Sequence, residues 1–375
     1  MSDTHQEAEV ERLEPTPDPA TRKVVQPPVV SQGAWGWMRQ NLFSTPFNTV
    51  LTLIALAVLF YAIPNLIQWA LIQAQWSGTA QDCRAADGAC WSFIGEKYRY
   101  ILFGLYPPSL HWRPLLAMVI FIGLVAVSTQ TRFHSRKLLI AWIVVPLLCW
   151  WLMGGGFGLR EVSNSRWGGL PLTLILSVVG CAVALPLGIL LALGRRSELP
   201  IIRAICVGYI ELIRGVPLIS LLFMASVMFP LFLPEGMTID KLLRAQIAII
   251  LFAAAYMAEV VRGGLQAIPR GQYEAGHALG LSYWQSTGLI ILPQALKITI
   301  PPMVNTFIGV FKDTSLVLII SLFDLMTTTK TSLTDPNWLG FSVEAYIFTA
   351  LIYWVFTFFM SRYSQHLEKR LYTGH

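Results

Sequence analysis

From Trp167 to Gly194 the chain reads WGGLPLTLILSVVGCAVALPLGILLALG, an unbroken run without Asp, Glu, Lys or Arg. An α-helix needs roughly 20 mostly apolar residues to cross the hydrocarbon core of a bilayer, and this run exceeds that. Further uncharged stretches lie between Arg39 and Asp82, Arg113 and Arg132, Lys137 and Arg160, and Arg214 and Glu235. Membrane strands would show short alternating segments rather than continuous apolar runs, so a barrel is excluded. The composition agrees: 55% of the 375 residues are hydrophobic and 13% charged, about half the charge of a soluble domain. The reading is an all-α polytopic membrane protein with eight spans at 47–72, 114–130, 138–156, 168–193, 207–233, 245–264, 298–321 and 343–361.

Charge orients these spans. With the N-terminus inside, 17 Lys and Arg fall on the inner side and nine on the outer, which favours both termini in the cytoplasm. The net charge of +6 therefore reports topology and not a nucleic-acid partner. Residues 1–46 carry Pro15, Pro17, Pro19, Pro27 and Pro28 and read as a disordered cytoplasmic tail, with Trp35 and Trp37 suited to an interfacial anchor. Residues 47–165 form three spans and an external loop, 73–113. That loop holds Cys83 and Cys90, which would suit a disulfide in an oxidising compartment or remain two free thiols.

The patterned residues lie in 166–375, above all in the loop 270–293. It runs Glu274-Ala275-Gly276-His277-Ala278-Leu279-Gly280, then nine residues, then Ile290-Ile291-Leu292-Pro293. Good helix formers stop at Gly280, which can adopt the left-handed C-cap conformation. Ser282 can cap a second short helix, which Pro293 would end or kink. The product is a helix–Gly–helix knob outside the membrane. The spacing resembles the EAA motif of ATP-binding-cassette (ABC) importer permeases, with Gly276 where Ala is usual. The resemblance implies a type I permease core of five helices whose coupling helix docks on an ATPase subunit through Glu274, Ala275, Gly276, Gly280, Ile290, Leu292 and Pro293.

Other stretches are similar to the polar amino-acid branch of these permeases, the histidine, glutamine and general L-amino-acid group. They include Gly169–Leu174, Leu193–Ser197, Tyr209–Leu218, Tyr256–Gly264 and Lys312–Leu316. The extra N-terminal spans are most like the larger permease of a general L-amino-acid system. The implied partners are a cytoplasmic ABC ATPase dimer, a second homologous permease, a periplasmic amino-acid-binding protein and lipid, in a bacterial inner membrane.

Lys312 and Asp313 fall within the seventh span, where an ionisable group usually faces a cavity or a partner. Asn305 and Thr306 lie about two turns earlier on the same helix. Permeases of this branch that take cationic amino acids often carry Glu after this Asn, so neutral Thr306 implies a different specificity. Thr306 and Asp313, seven residues apart, are expected to face one translocation cavity. Glu211 with Arg214, and Glu259 with Arg262, read as pairs along a helix. The chain has no Gly-x-x-x-x-Gly-Lys-Ser/Thr loop, so it binds no cofactor itself and ATP with its magnesium is expected on a partner. No metal site or catalytic residue is expected. An ion-driven secondary transporter, an integral-membrane enzyme and an ABC permease for another small solute are the alternatives.

Overall fold

The computed structural model describes residues 33–130, 132 and 135–371. The first 32 residues of the expected tail lie outside this range. Its last part is not disordered: Gly33–Asn41 form a helix, α1, with Trp35 and Trp37 exposed. The proline-rich run ends at Pro28, and no proline follows until Pro46, so nothing there breaks a helix.

The chain divides into two compact units, one through Ile72 and one from Gln73 onward. In the first, Thr45 caps α2 (Pro46–Ile67) by accepting the Asn48 N–H, with Pro46 in the opening turn where no N–H is missed. A π-helical turn over Gln68–Ile72 extends this apolar helix to 27 residues.

The second unit begins with α3 (Ala80–Ala85), α4 (Trp91–Phe103), α5 (Trp112–Ser128) and α6 (Arg136–Gly154). These are followed by α7 (Gly169–Arg195), α8 (Pro200–Gly215), α9 (Leu218–Phe223), α10 (Lys241–Ala267) and α11 (Arg270–Ala278). The chain closes with α12 (Tyr283–Ser286), α13 (Leu292–Ile298), α14 (Ile300–Asp313), α15 (Leu325–Ser332) and α16 (Ser342–Leu371).

Among the described residues, six helical segments are long and apolar enough to cross a membrane: Pro46–Ile72, Arg136–Gly154, Gly169–Arg195, Lys241–Ala267, Ile300–Ile320 and Ser342–Arg370. The other two expected spans differ from expectation. The α5 helix has 17 residues, about 25 Å of rise, at the short end of the range that crosses a bilayer. The fifth expected span, 207–233, is not one helix, because the chain turns by 103° between α8 and the segment Leu218–Phe232. Val216 is extended at φ −108° and ψ 132°, the conformation that a following proline, here Pro217, imposes on its neighbour.

Helix α7 is the axis of the second unit, and α10 lies closest along it. Their backbones approach where side chains are small. At Gly188 an added Cβ would meet Met257 Cβ at 2.7 Å and Ala254 O at 3.1 Å, the close packing typical of helices in lipid. The Gln246 amide crosses the same seam to Leu176 O at 3.2 Å.

Residues 73–165 are not a separate layer, so the division expected at 165/166 does not separate packed units. One apolar cluster joins Ile101, Met118, Phe121 and Met153 to Leu172, Leu176, Leu222 and Ile249. The segment expected as an external loop is itself helical. Cys83 and Cys90 form a disulfide with Cα atoms 5.5 Å apart, and the Cys90 N–H donates to Glu344 Oε1 at 2.9 Å. Lys97 reaches Asp335 at 2.5 Å, and Thr328 Oγ1 donates to Ile101 O at 2.7 Å. These bonds tie α4 to α15 and to the start of α16. Beside them lies a cleft of about 390 Å³, lined by Glu96, Arg99, Tyr100, His111, Thr331 and Asp335 among others.

Candidate functional site

After α10 the chain turns at Ile268 and enters α11 behind Pro269. The helix stops as its sequence requires. Gly280 has φ +70°, its N–H donates to His277 O at 2.9 Å, and the Leu281 N–H reaches back to Gly276 O at 3.1 Å. Those two bonds form a Schellman motif, which satisfies carbonyls that the helix end would otherwise leave bare. Two residues later Ser282 and Gln285 form a reciprocal capping box that starts α12. The knob is therefore capped on both sides of its turn.

Glu274 and Ala275 are exposed on α11, whereas Gly276 is buried. A Cβ at Gly276 would lie 2.5 Å from Ser286 Oγ, so glycine is the residue that lets α11 lie against α12. Leu279, Tyr283, Trp284 and Leu289 are exposed around the turn. Ile290 and Leu292 instead pack against the buried cluster of Met257, Val261, Leu265 and Ala295. They seat the knob on the helices behind it.

Pro293 does not end the second limb. A π-helical turn, Thr287–Ile291, precedes it, with the Leu292 N–H bonded to Thr287 O. Pro293 then occupies the first turn of α13, where its missing N–H leaves no gap. Bonds outside the motif fix α11 in place. The Arg196 guanidinium donates to Tyr273 Oη at 3.0 Å, and the Tyr273 hydroxyl to Leu265 O at 3.0 Å. Gln294 reaches Gln272 at 3.2 Å.

The charges above the knob form a network across three helices, in which the expected Glu259–Arg262 pair along α10 is present and the expected Glu211–Arg214 pair is replaced by partners on other helices. Arg195 on α7 bridges Glu211 on α8 at 2.9 Å and Glu259 on α10 at 2.8 Å. Glu259 also meets Arg262 at 2.7 Å and Arg214 at 3.6 Å. Glu211 is thus paired with Arg195, and Arg214 with Glu259. Spacing along one helix could not show this, because the partners are brought together by packing.

On α14, Asn305 and Lys312 are exposed, while Thr306 and Asp313 are partly buried. The Thr306 hydroxyl donates back to Pro302 O at 3.0 Å. The polar strip open on this chain therefore runs along Asn305 and Lys312, one position away from the strip expected through Thr306 and Asp313. Lys312 and Asp313 end α14, and a 3₁₀ segment, Thr314–Ile320, continues it.

Comparison with known proteins places this arrangement. Residues 184–372 match the model of the family described as binding-protein-dependent transport system inner membrane component. The chain is 55% identical to the inner membrane amino-acid ABC transporter permease protein YhdY of Escherichia coli, over 92% of this chain and 95% of that protein. The chain belongs to this family.

The matched region takes in the Glu274–Pro293 knob, the ion network and the strip on α14. The glutamate/glutamine/aspartate/asparagine transport system permease protein BztC of Rhodobacter capsulatus is 40% identical, over 93% of this chain and 96% of its own. A crystal structure of an amino acid ABC transporter with histidines shares 31% identity, covering 54% of this chain and 92% of that one at a TM-score of 0.48. This family member is thus an inner membrane component of a binding-protein-dependent transport system, and it shares nearly its whole length with its larger relatives.

Proposed function

We infer that this chain is the permease subunit of an ATP-driven importer of polar or general L-amino acids. The observation that carries the reading is the knob itself, an exposed α11 bearing Glu274 and capped on both sides of its turn. A short, rigid, solvent-facing helix with exposed apolar residues at its apex suits insertion into a partner's groove. That partner is an ABC ATPase dimer, which holds ATP and magnesium and does the hydrolysis. Both termini and the knob lie in the cytoplasm, as the Lys and Arg balance supports. The names of the relatives support amino acids as cargo.

The pathway runs along α14. Asn305 and Lys312 are polar, exposed on this chain and within a membrane-spanning segment, where lipid contact would be costly. They face a water-filled path shared with a second, homologous permease, with Thr306 and Asp313 beside them. A periplasmic binding protein delivers the amino acid to the outer mouth. Opening and closing of the ATPases then moves α11 and, through Ile290 and Leu292, the helices seated on it.

Co-purification with the ATPase subunit tests the coupling element. Glu274→Arg places the opposite charge on an exposed position, so the permease folds but loses ATPase association and substrate-stimulated hydrolysis. Survival of both in the variant would overturn the assignment. Uptake into proteoliposomes driven by an ion gradient without the ATPase would overturn the reading as a whole.

A further inference from the structure

The turn that follows α6 is costly to build. Across Gly156-Phe157-Gly158-Leu159 the Gly156 N–H donates to Leu159 O at 3.0 Å, and the Leu159 N–H returns to Gly156 O at 3.1 Å. The central residues have φ of +49° at Phe157 and +91° at Gly158. Positive φ at both central positions defines a type I′ turn, whose favoured pair is Asn-Gly. A bulky aromatic at the first of them is a steric outlier. Packing does not compensate it, because Phe157 is 98% exposed. Strain that persists without local reward points to a use outside the chain.

The turn is also braced from beneath. Arg113 is 1% exposed and donates from Nε to Leu152 O at 2.5 Å and from Nη1 to Arg160 O at 2.8 Å. It grips the chain on both sides of the turn. Its Nη2 has no hydrogen-bond partner among the described residues and lies where a Cβ on Gly155 would come within 3.0 Å. The Trp151 indole adds a bond to Gly156 O at 3.2 Å. Burying a guanidinium to hold a surface turn is expensive, and the result is a rigidly presented ring.

The surroundings name the occupant. The apolar outer face of α6 runs through Leu139, Ile140, Ile143, Val144 and Leu147 to Trp150, all exposed. With 19 residues α6 rises about 28 Å, close to the hydrocarbon thickness. Phe157, three residues beyond its end, therefore lies at headgroup level, in the zone where aromatic belts form. We propose that the Arg113-braced turn is a lipid anchor that drives Phe157 into the headgroup–acyl boundary and sets the depth of α5 and α6.

The test places the photoreactive p-benzoyl-phenylalanine at 157 in the full transporter, in vesicles of phosphatidylethanolamine and phosphatidylglycerol. The same probe at Leu147, on the outer face of α6, serves as reference. The ring shape is kept and the site is exposed, so folding is not at issue. Illumination is expected to give lipid adducts at 157 with a yield comparable to that at 147. A crosslink from 157 to the second permease or the binding protein would make the finger a protein contact and overturn the proposal. No adduct at 157, with lipid adducts at 147, would place Phe157 in water and overturn it equally.

Discussion

Restoring the family's usual residue in the knob should damage it. In Gly276→Ala the new Cβ would stand 2.5 Å from Ser286 Oγ and 3.3 Å from Ser286 Cβ. Alanine in place of glycine gains about 1 kcal/mol of helix propensity. Overpacking costs about 1–3 kcal/mol, so the net change runs from about zero to a loss of ~2 kcal/mol, and the buried setting of Ser286 puts it on the side of loss. Ser286→Ala removes the Oγ and leaves only the 3.3 Å approach, which a shift of a few tenths of an ångström relieves. The double variant then keeps the propensity gain without the clash, and the pair should couple by about 1–2 kcal/mol. The assay measures thermal midpoints of the permease and substrate-stimulated ATP hydrolysis of the assembled transporter. The expected order is Gly276→Ala lowest in both, Ser286→Ala near wild type, and the double variant at or above wild type. A Gly276→Ala variant that matches wild type in both, or a double no better than Gly276→Ala, refutes the reasoning.

Other expectations follow from the same geometry. Thr306→Glu adds a carboxylate beside the open strip on α14 and should shift uptake toward arginine or lysine; an unchanged competition profile would move the pathway elsewhere. Glu259→Gln leaves Arg195, Arg214 and Arg262 facing one another without their shared carboxylate. The loss should be about 1–3 kcal/mol, below that of a fully buried pair because the arginine side chains keep 24–35% exposure; a thermal midpoint equal to wild type would contradict the network. Lys97 bonded to Asp335 holds that carboxyl below its usual range. A depressed carboxylate contributes stability above its ordinary value of about 3.9, and that contribution is lost as pH falls through the folded value. Protection of the amides over 333–338, taken relative to their intrinsic exchange at each pH, should therefore fall with acidification below about pH 4, and Lys97→Met should abolish the step.

Membrane residence and helical class were legible in the sequence because a bilayer demands long uncharged runs, and residues 167–194 can hardly be read otherwise. The knob was legible for a related reason: Gly280 and Ser282 act through local backbone geometry, which a short segment specifies. The 103° break before Pro217 had a local signal too, in Val216-Pro217, but the apolar run around it reads as one continuous span. Tertiary structure alone decided the rest. Spacing along α10 gave Glu259 its partner Arg262, but Arg195 and Arg214 reach it from two other helices, which no spacing within one helix reveals. Why position 276 is glycine depends on Ser286, a contact between α11 and α12 that exists only once both are folded. Which of the four candidate residues on α14 are open, Asn305 and Lys312, and which are partly covered, Thr306 and Asp313, is likewise set by the packed helices. Apolar length and capping are properties of a segment, whereas exposure and charge pairing belong to the packed whole.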